Sequence, residues 1–173
     1  MKKYFLFIPF IFLLFPNILI ANTNIVFIDM DKIMSTSIAG KSILNQLNDI
    51  NEKRLKDLEK IAKDLKNKEK KLITQKNILA ASEYEKNITY LKSQINKYSI
   101  KKKKDIDELK ELKRNNTSRF ILEINTILLK YSEENKISLI LHKKNIVLGK
   151  SDLDISEDVV KLINIKIKEF KVK

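Results

Sequence analysis

His142 is the only histidine in the sequence, there is no cysteine, and Gly40 and Gly149 are the only glycines. Without cysteine the chain has no thiolate nucleophile, no thiolate metal site and no disulfide. Two widely separated glycines cannot build a phosphate-cradling loop, which argues against nucleotide-driven work. A lone histidine in a strand-like stretch is a packed or edge side chain far more often than a catalyst or ligand. Asp152, Asp154, Glu157 and Asp158 form a carboxylate cluster. Their spacing is not that of a calcium loop, and capping of a following helix explains them better. No catalytic residue, cofactor site or metal site is assigned, and the chain reads as a non-enzyme.

Lysine is the other candidate for chemistry. The formal charge is +13, and between Lys60 and Lys104 lysines far outnumber the acids Asp64, Glu69, Glu83 and Glu85. Lys66, Lys68, Lys70, Lys71 and Lys101, Lys102, Lys103 and Lys104 make a candidate basic surface. Such a field would attract anionic lipid, an acidic glycolipid or an acidic stretch of unfolded polypeptide. Nucleic acid is disfavoured, because no aromatic residues interleave the Lys101–Lys104 run and the chain carries an export signal. The plain alternative is that these lysines only solvate a helix surface. Tyr84, Tyr90 and Tyr98 likewise read either as contact points for apolar segments or, more commonly, as seam packing.

The elements that must carry these residues follow from the pattern of apolar positions. Residues 1–21 have a basic start at Lys2 and Lys3, an apolar run and Ala21 as a cleavage residue, the pattern of a signal peptide. The alternative is a retained membrane anchor, with the chain acting as a coiled-coil structural protein of the cell envelope. Ile25, Val26, Phe27 and Ile28 form the centre of an expected strand, Asn24 to Met30, in a sheet covered on both faces. Asp29 to Ala39 is polar and small, with Ser35, Thr36 and Ser37 available to cap a helix.

From Lys41 to Lys136 there is neither glycine nor proline, so the segment is expected to be continuous helix apart from one reversal. Leu58, Leu65, Leu72 and Leu79 recur by sevens, a narrow coiled-coil seam. Tyr84, Ile88, Leu91, Ile95 and Tyr98 begin a second seam, which runs through Leu109 and Leu112 and widens at Phe120, Ile124, Ile127 and Leu128. The reversal is expected at Asn77 to Glu83, with Ser82 as the new cap. Ile137–His142 and Asn145–Gly149 then read as a hairpin joined by Lys143 and Lys144, and Ser156 is expected to cap a last helix, Glu157 to about Phe170.

These stretches resemble the Skp family, the OmpH-like periplasmic chaperones of outer-membrane proteins. The resemblance rests on Ile25–Lys32 followed by Ala39-Gly40-Lys41 at the front. At the back it rests on Ile137–Leu141, Asn145–Leu148 and Asp154-Ile155-Ser156. It implies a homotrimer whose strands form a small body and whose helical hairpins enclose a cavity for unfolded outer-membrane β-barrel proteins, held without nucleotide. The lipopolysaccharide-binding basic pattern of some members cannot be aligned here, so no such site is carried over.

The expectation is an α+β, mainly α fold: a small β-sheet body with a long antiparallel coiled-coil helical hairpin arm. Residues 1–21 are the signal peptide, 22–40 and 137–173 the β-rich trimerisation body, and 41–136 the arm with its tip near 77–83. The body candidates are Ile25, Phe27, Ile137, Leu139, Leu141 and Val147. The client contacts are Leu55, Leu58, Leu65, Leu72, Tyr84, Ile88, Leu91, Ile95 and Tyr98. The partners are unfolded outer-membrane proteins, further copies of the chain and anionic lipid or the membrane surface, in the periplasm.

Overall fold

The computed structural model describes residues 23–173; the expected leader at 1–21 lies outside them. The chain runs β1 (Ile25–Ile28), α1 (Met30–Thr36), α2 (Ile38–Thr74), α3 (Ala81–Glu134), β2 (Leu139–His142) and α4 (Ser156–Lys166), with two short 3₁₀ turns at Lys143–Asn145 and Ser151–Leu153. It is an α+β fold dominated by helix, with a two-stranded sheet and two long helices.

β1 and β2 pair in parallel, Ile25 opposite Leu139 and Phe27 opposite Leu141. Parallel strands need a long crossover, and here the whole two-helix arm supplies it. Val26 and Ile28 point into the main core, while Phe27 is buried on the opposite face near Gly149. The continuous apolar run of β1 is thus explained by cover on both of its faces.

Asp29 to Ala39 departs from expectation. Asp29 ends the strand and caps α1, accepting the Lys32 N–H at Oδ1 over 3.0 Å, so most of the supposed capping segment is itself helical. Ser35 and Thr36 turn their hydroxyls back to the carbonyls of Asp31 and Lys32 and cap nothing. Only Ser37 caps the long helix, accepting the Gly40 N–H at 3.1 Å.

α2 and α3 have 37 and 54 residues, about 55 and 80 Å at 1.5 Å per residue. The reversal occupies 75–80, slightly earlier than expected. Gln75 gathers the free ends: its carbonyl accepts from the N–H groups of Ile78 and Leu79 at 3.0 Å. Ala80, not Ser82, is the N-cap of α3, and it offers no side-chain bond. Ser82 lies inside the first turn. α3 ends in a Schellman arrangement with Lys136 at φ 53° and Ile137 N–H bonded to the Ser132 carbonyl at 2.9 Å.

The hairpin expected after the arm does not form. After β2 the chain curls at Lys143–Asn145, where Lys143 Nζ reaches back to Asp29 Oδ2 at 3.2 Å. This turn directs 145–149 away from β2, and among the described residues no strand follows it. Val147 and Leu148 stand fully exposed. The opposite edge of β1 is taken instead by Asp154, bridged to Phe27, with Ile155 N–H donating to the Phe27 carbonyl at 3.0 Å.

α4 is shorter than expected. Its first residue is Ser156, not Glu157, and its N-cap is Ile155, which offers no side-chain bond; the Ser156 N–H donates to Asp154 Oδ1 at 3.0 Å. Ile33, Ile43, Phe120, Ile124, Val159 and Ile163 are fully buried and knit α1, α4 and the root of the arm into one core. Beyond Lys166 the chain is irregular, with a bend at Lys168, and Phe170 returns to that core.

Candidate functional site

The arm is closed by a seam with contributions from both helices. On α2, Leu58 and Leu65 are buried and Leu72 half-buried. On α3, Tyr84, Ile88, Leu91 and Tyr98 are half-buried. Leu58 and Leu65, expected to touch a client, are therefore enclosed in the arm's own packing. Of the nine candidate client contacts, Leu55 and Ile95 project, at 56% and 43% exposure. Ile95 was expected in the seam, but Gln94 takes the half-buried position beside it.

The two sides of the hairpin differ. At about 100° per residue, Leu55 and Ile73 fall on one flank of the α2 seam, and Ile95 and Ile106 on the matching flank of α3. All four are exposed. Because the helices are antiparallel, these flanks open to the same side. The other side is a shallow cleft lined by Lys60, Ile61, Asp64, Gln94, Lys97 and Lys101. One side of the arm therefore carries this apolar row, with Lys66 and Lys102 on the same flanks, while Tyr90, 60% exposed, falls beside Lys97 and Lys101 on the other side. Ile106 belongs with Leu55 and Ile95 and was missed in the sequence, although its eleven-residue spacing from Ile95, three full turns, is visible there.

All eight lysines of the candidate basic surface are exposed. Three of them sit in intrahelical pairs: Lys68 with Asp64 at 2.6 Å, Lys101 with Asp105 at 2.9 Å and Lys104 with Glu108 at 3.7 Å. Exposed pairs of this kind contribute a few tenths of a kcal/mol each, so their main effect is to trim the local positive field. Sequence reading also missed a polar brace at mid-arm. Arg54 on α2 donates to the Asp105 carbonyl at 2.6 Å and pairs with Glu108 at 3.1 Å.

The body carries a second exposed apolar group. Ile25, Leu139, Leu141 and Val147 are exposed, whereas Phe27 is buried and Ile137 half-buried. An open groove of about 430 Å³ runs over Leu128, Leu129, Ile137, Leu139 and Leu141. Beside it, a cleft of about 460 Å³ is lined by Ile28, Met34, Leu44, Lys113 and His142, among others.

The acidic cluster is absorbed by local structure. Asp154 accepts from both the N–H and the hydroxyl of Ser156, Glu157 pairs with Lys32 at 2.9 Å, and Asp158 with Lys161 at 2.9 Å. The backbone N–H of Lys32, and then Lys143, hold the Asp29 carboxyl below its usual range. Burial pushes Asp154 the other way, but the Ser156 bonds and Lys143 outweigh it and its pKa is also lowered. Among the described residues, no group of histidine or acidic side chains is arranged to hold a metal ion.

A crystal structure from Caulobacter crescentus, of a candidate outer membrane chaperone (OmpH-like), superposes with a TM-score of 0.80 over 87% of this chain and 89% of that one, at 22% identity. At that identity the match establishes the fold. No curated protein matches the sequence. The sequence model of the family described as "Outer membrane protein (OmpH-like)" matches residues 24–163, from the start of β1 into α4, and the chain belongs to the OmpH-like family.

Proposed function

We propose that this protein is an ATP-independent periplasmic holdase that shelters unfolded outer-membrane β-barrel proteins against the apolar side of its arms. Membership of the OmpH-like family and the fold shared with a candidate chaperone support a chaperone role. The observation that carries the finer reading is the row of exposed apolar side chains along one side of the arm. Leu55, Ile73, Ile95 and Ile106 lie exposed along one side of the rod. Scattered, shallow apolar contacts suit a client that must be held and released, and separating client chains keeps their unpaired strand edges from meeting. The lysines supply long-range attraction for acidic client segments or an anionic membrane surface.

Self-association is part of this proposal. Ile25, Leu139, Leu141 and Val147 leave apolar side chains exposed on the body, and a trimer through this face would bury them and set three arms around a common space. Mass measurement of the purified chain is expected to give a trimer; a stable monomer would count against that assembly.

The direct test is an aggregation assay with a urea-unfolded outer-membrane barrel and no ATP. The protein is expected to keep the barrel soluble at near-stoichiometric amounts. Aggregation at the same rate with and without it would remove the holdase reading.

A further inference from the structure

The family match ends at Ile163, and the irregular segment 167–173 lies beyond it. This segment has no regular secondary structure, yet both arm helices grip it. Gln46 on α2 donates from Nε2 to the Phe170 carbonyl at 2.7 Å and accepts the Val172 N–H at Oε1 over 3.1 Å. Asn116 on α3 does the same to Lys173, donating to its carbonyl at 3.0 Å and accepting its N–H at 3.1 Å. A carboxamide presents a donor and an acceptor side by side, as the edge of a β-strand does. Each amide thus reads peptide backbone without regard to side chain.

Selectivity comes from one pocket. Phe170 is 3% exposed and meets Phe120 edge-on, ring centroids 5.7 Å apart and planes at 79°. The Arg119 guanidinium lies 4.9 Å from the centroid of the Phe170 ring. Val172 is half-buried, while Lys171 and Lys173 face outward, the alternation of an extended ligand on a surface. Asn116 is itself fully buried, and it also donates to the Leu112 carbonyl at 2.7 Å and accepts from Arg119 at 2.9 Å. The buried amide thus satisfies its own helix and Arg119 as well as the backbone of Lys173.

We propose that this slot between α2 and α3 at the arm root is a peptide-binding site of its own. It takes an extended segment with an aromatic residue followed two positions later by an aliphatic one. Segment 167–173 is its resident occupant, a strap that swings aside to admit another chain. Backbone-reading amides suit an unfolded polypeptide. That link to the client rests on the proposed holdase function, whereas the site does not.

The test uses the full chain carrying Phe170→Ala and a fluorescein-labelled peptide with the sequence of residues 168–173. By fluorescence anisotropy the peptide is expected to bind the variant at least tenfold more tightly than the wild type. A peptide that itself carries Phe170→Ala should not bind, and adding Asn116→Ala to the variant chain should abolish binding. Equal, weak binding to wild type and a folded Phe170→Ala chain would overturn the proposal. Should that variant fail to fold, hydrogen exchange on the wild type decides. Saturating peptide is expected to accelerate exchange at the Val172 and Lys173 amides, and unchanged protection there would overturn the proposal. Neither readout depends on client aggregation, so this site and the holdase function fail separately.

Discussion

Arg54 crosses the arm to the backbone of Asp105, donating from Nη1 to its carbonyl at 2.6 Å. Asp105 stands seven residues after Tyr98 and seven before Leu112, a seam position that a regular coiled coil would fill with an apolar side chain. Its carboxylate is tied to Lys101 at 2.9 Å, so at mid-arm a polar brace stands in for a hydrophobic rung. The brace also fixes register, because the planar guanidinium meets its two acceptors, the Asp105 carbonyl and Glu108, in only one alignment of the helices.

Arg54→Ala is therefore expected to lower unfolding free energy by about 1.5–3 kcal/mol, the range for hydrogen bonds to charged groups. Amides of the distal arm should exchange faster, with the body unaffected. Arg54→Lys should recover only part of the loss, because an ammonium cannot fork. Hydrogen exchange followed by mass spectrometry checks both; uniform exchange across the arm in both variants would contradict the brace.

Gly40 lies where α2 passes the end of α1. A Cβ there would sit 2.2 Å from the Met34 carbonyl oxygen and 2.8 Å from Ser37 Oγ. The carbonyl is backbone and cannot rotate away, so α1 and α2 must part. Gly40→Ala is expected to cost about 1–3 kcal/mol, the usual range for overpacking, even though alanine is the better helix former. Urea unfolding measures it, and an unchanged midpoint would show that the α1–α2 corner is soft.

Acid should loosen the body through Asp29 and Asp154. Both carboxyls are held below the ordinary value of 3.8 in the folded chain, Asp29 first by the Lys32 N–H and Asp154, against its burial, by Ser156. Lys143 faces both, and Asp31, Lys32 and Glu157 are the other charged groups nearby. A depressed folded pKa gives stability that is complete above the unfolded pKa and is lost as pH falls through the folded one. The loss should thus begin near pH 4 and deepen below it. Ser156→Ala should lower stability at neutral pH by about 1–2 kcal/mol and flatten the acid slope. Thermal melts from pH 7 to pH 2 check this, and an unaltered slope in the variant would contradict it.

Replacing Lys101 to Lys104 with glutamine removes four positive charges, two of them paired with Asp105 and Glu108. Client capture is expected to weaken several-fold at low ionic strength and to match wild type at about 1 M salt, where screening reaches only about 3 Å. Affinity measured across a salt series checks it. Equal affinity at low salt would mean that these lysines only solvate the arm.

Much of this architecture was legible in the sequence, and the misses have definite causes. The absence of glycine and proline from 41 to 136, together with leucines spaced by sevens, was enough for a long helical hairpin, because local periodicity dictates it. α1 was missed because Ser35, Thr36 and Ser37 all look like caps, whereas Asp29 caps α1 and Ser37 alone caps α2. The Asn145–Gly149 strand failed because its apolar residues need a partner strand, and Lys143 is drawn to Asp29 and Asp154 instead. At the arm, periodicity marked Leu58 and Leu65 but could not separate seam from flank. Residues 167–170 were expected to continue the last helix; they leave it because the Gln46 and Asn116 amides, far off in sequence, hold the segment.

The most direct test of the account is site-specific photocrosslinking with an unfolded outer-membrane barrel protein. A benzophenone side chain is placed singly at Leu55, Ile95 or Ile106 on one side of the arm, and at Lys60 or Lys97 on the other. Strong client adducts from the first three sites and weak ones from the last two are predicted. Equal labelling from both sides, or adducts confined to the basic side, would contradict an apolar face that shelters the client.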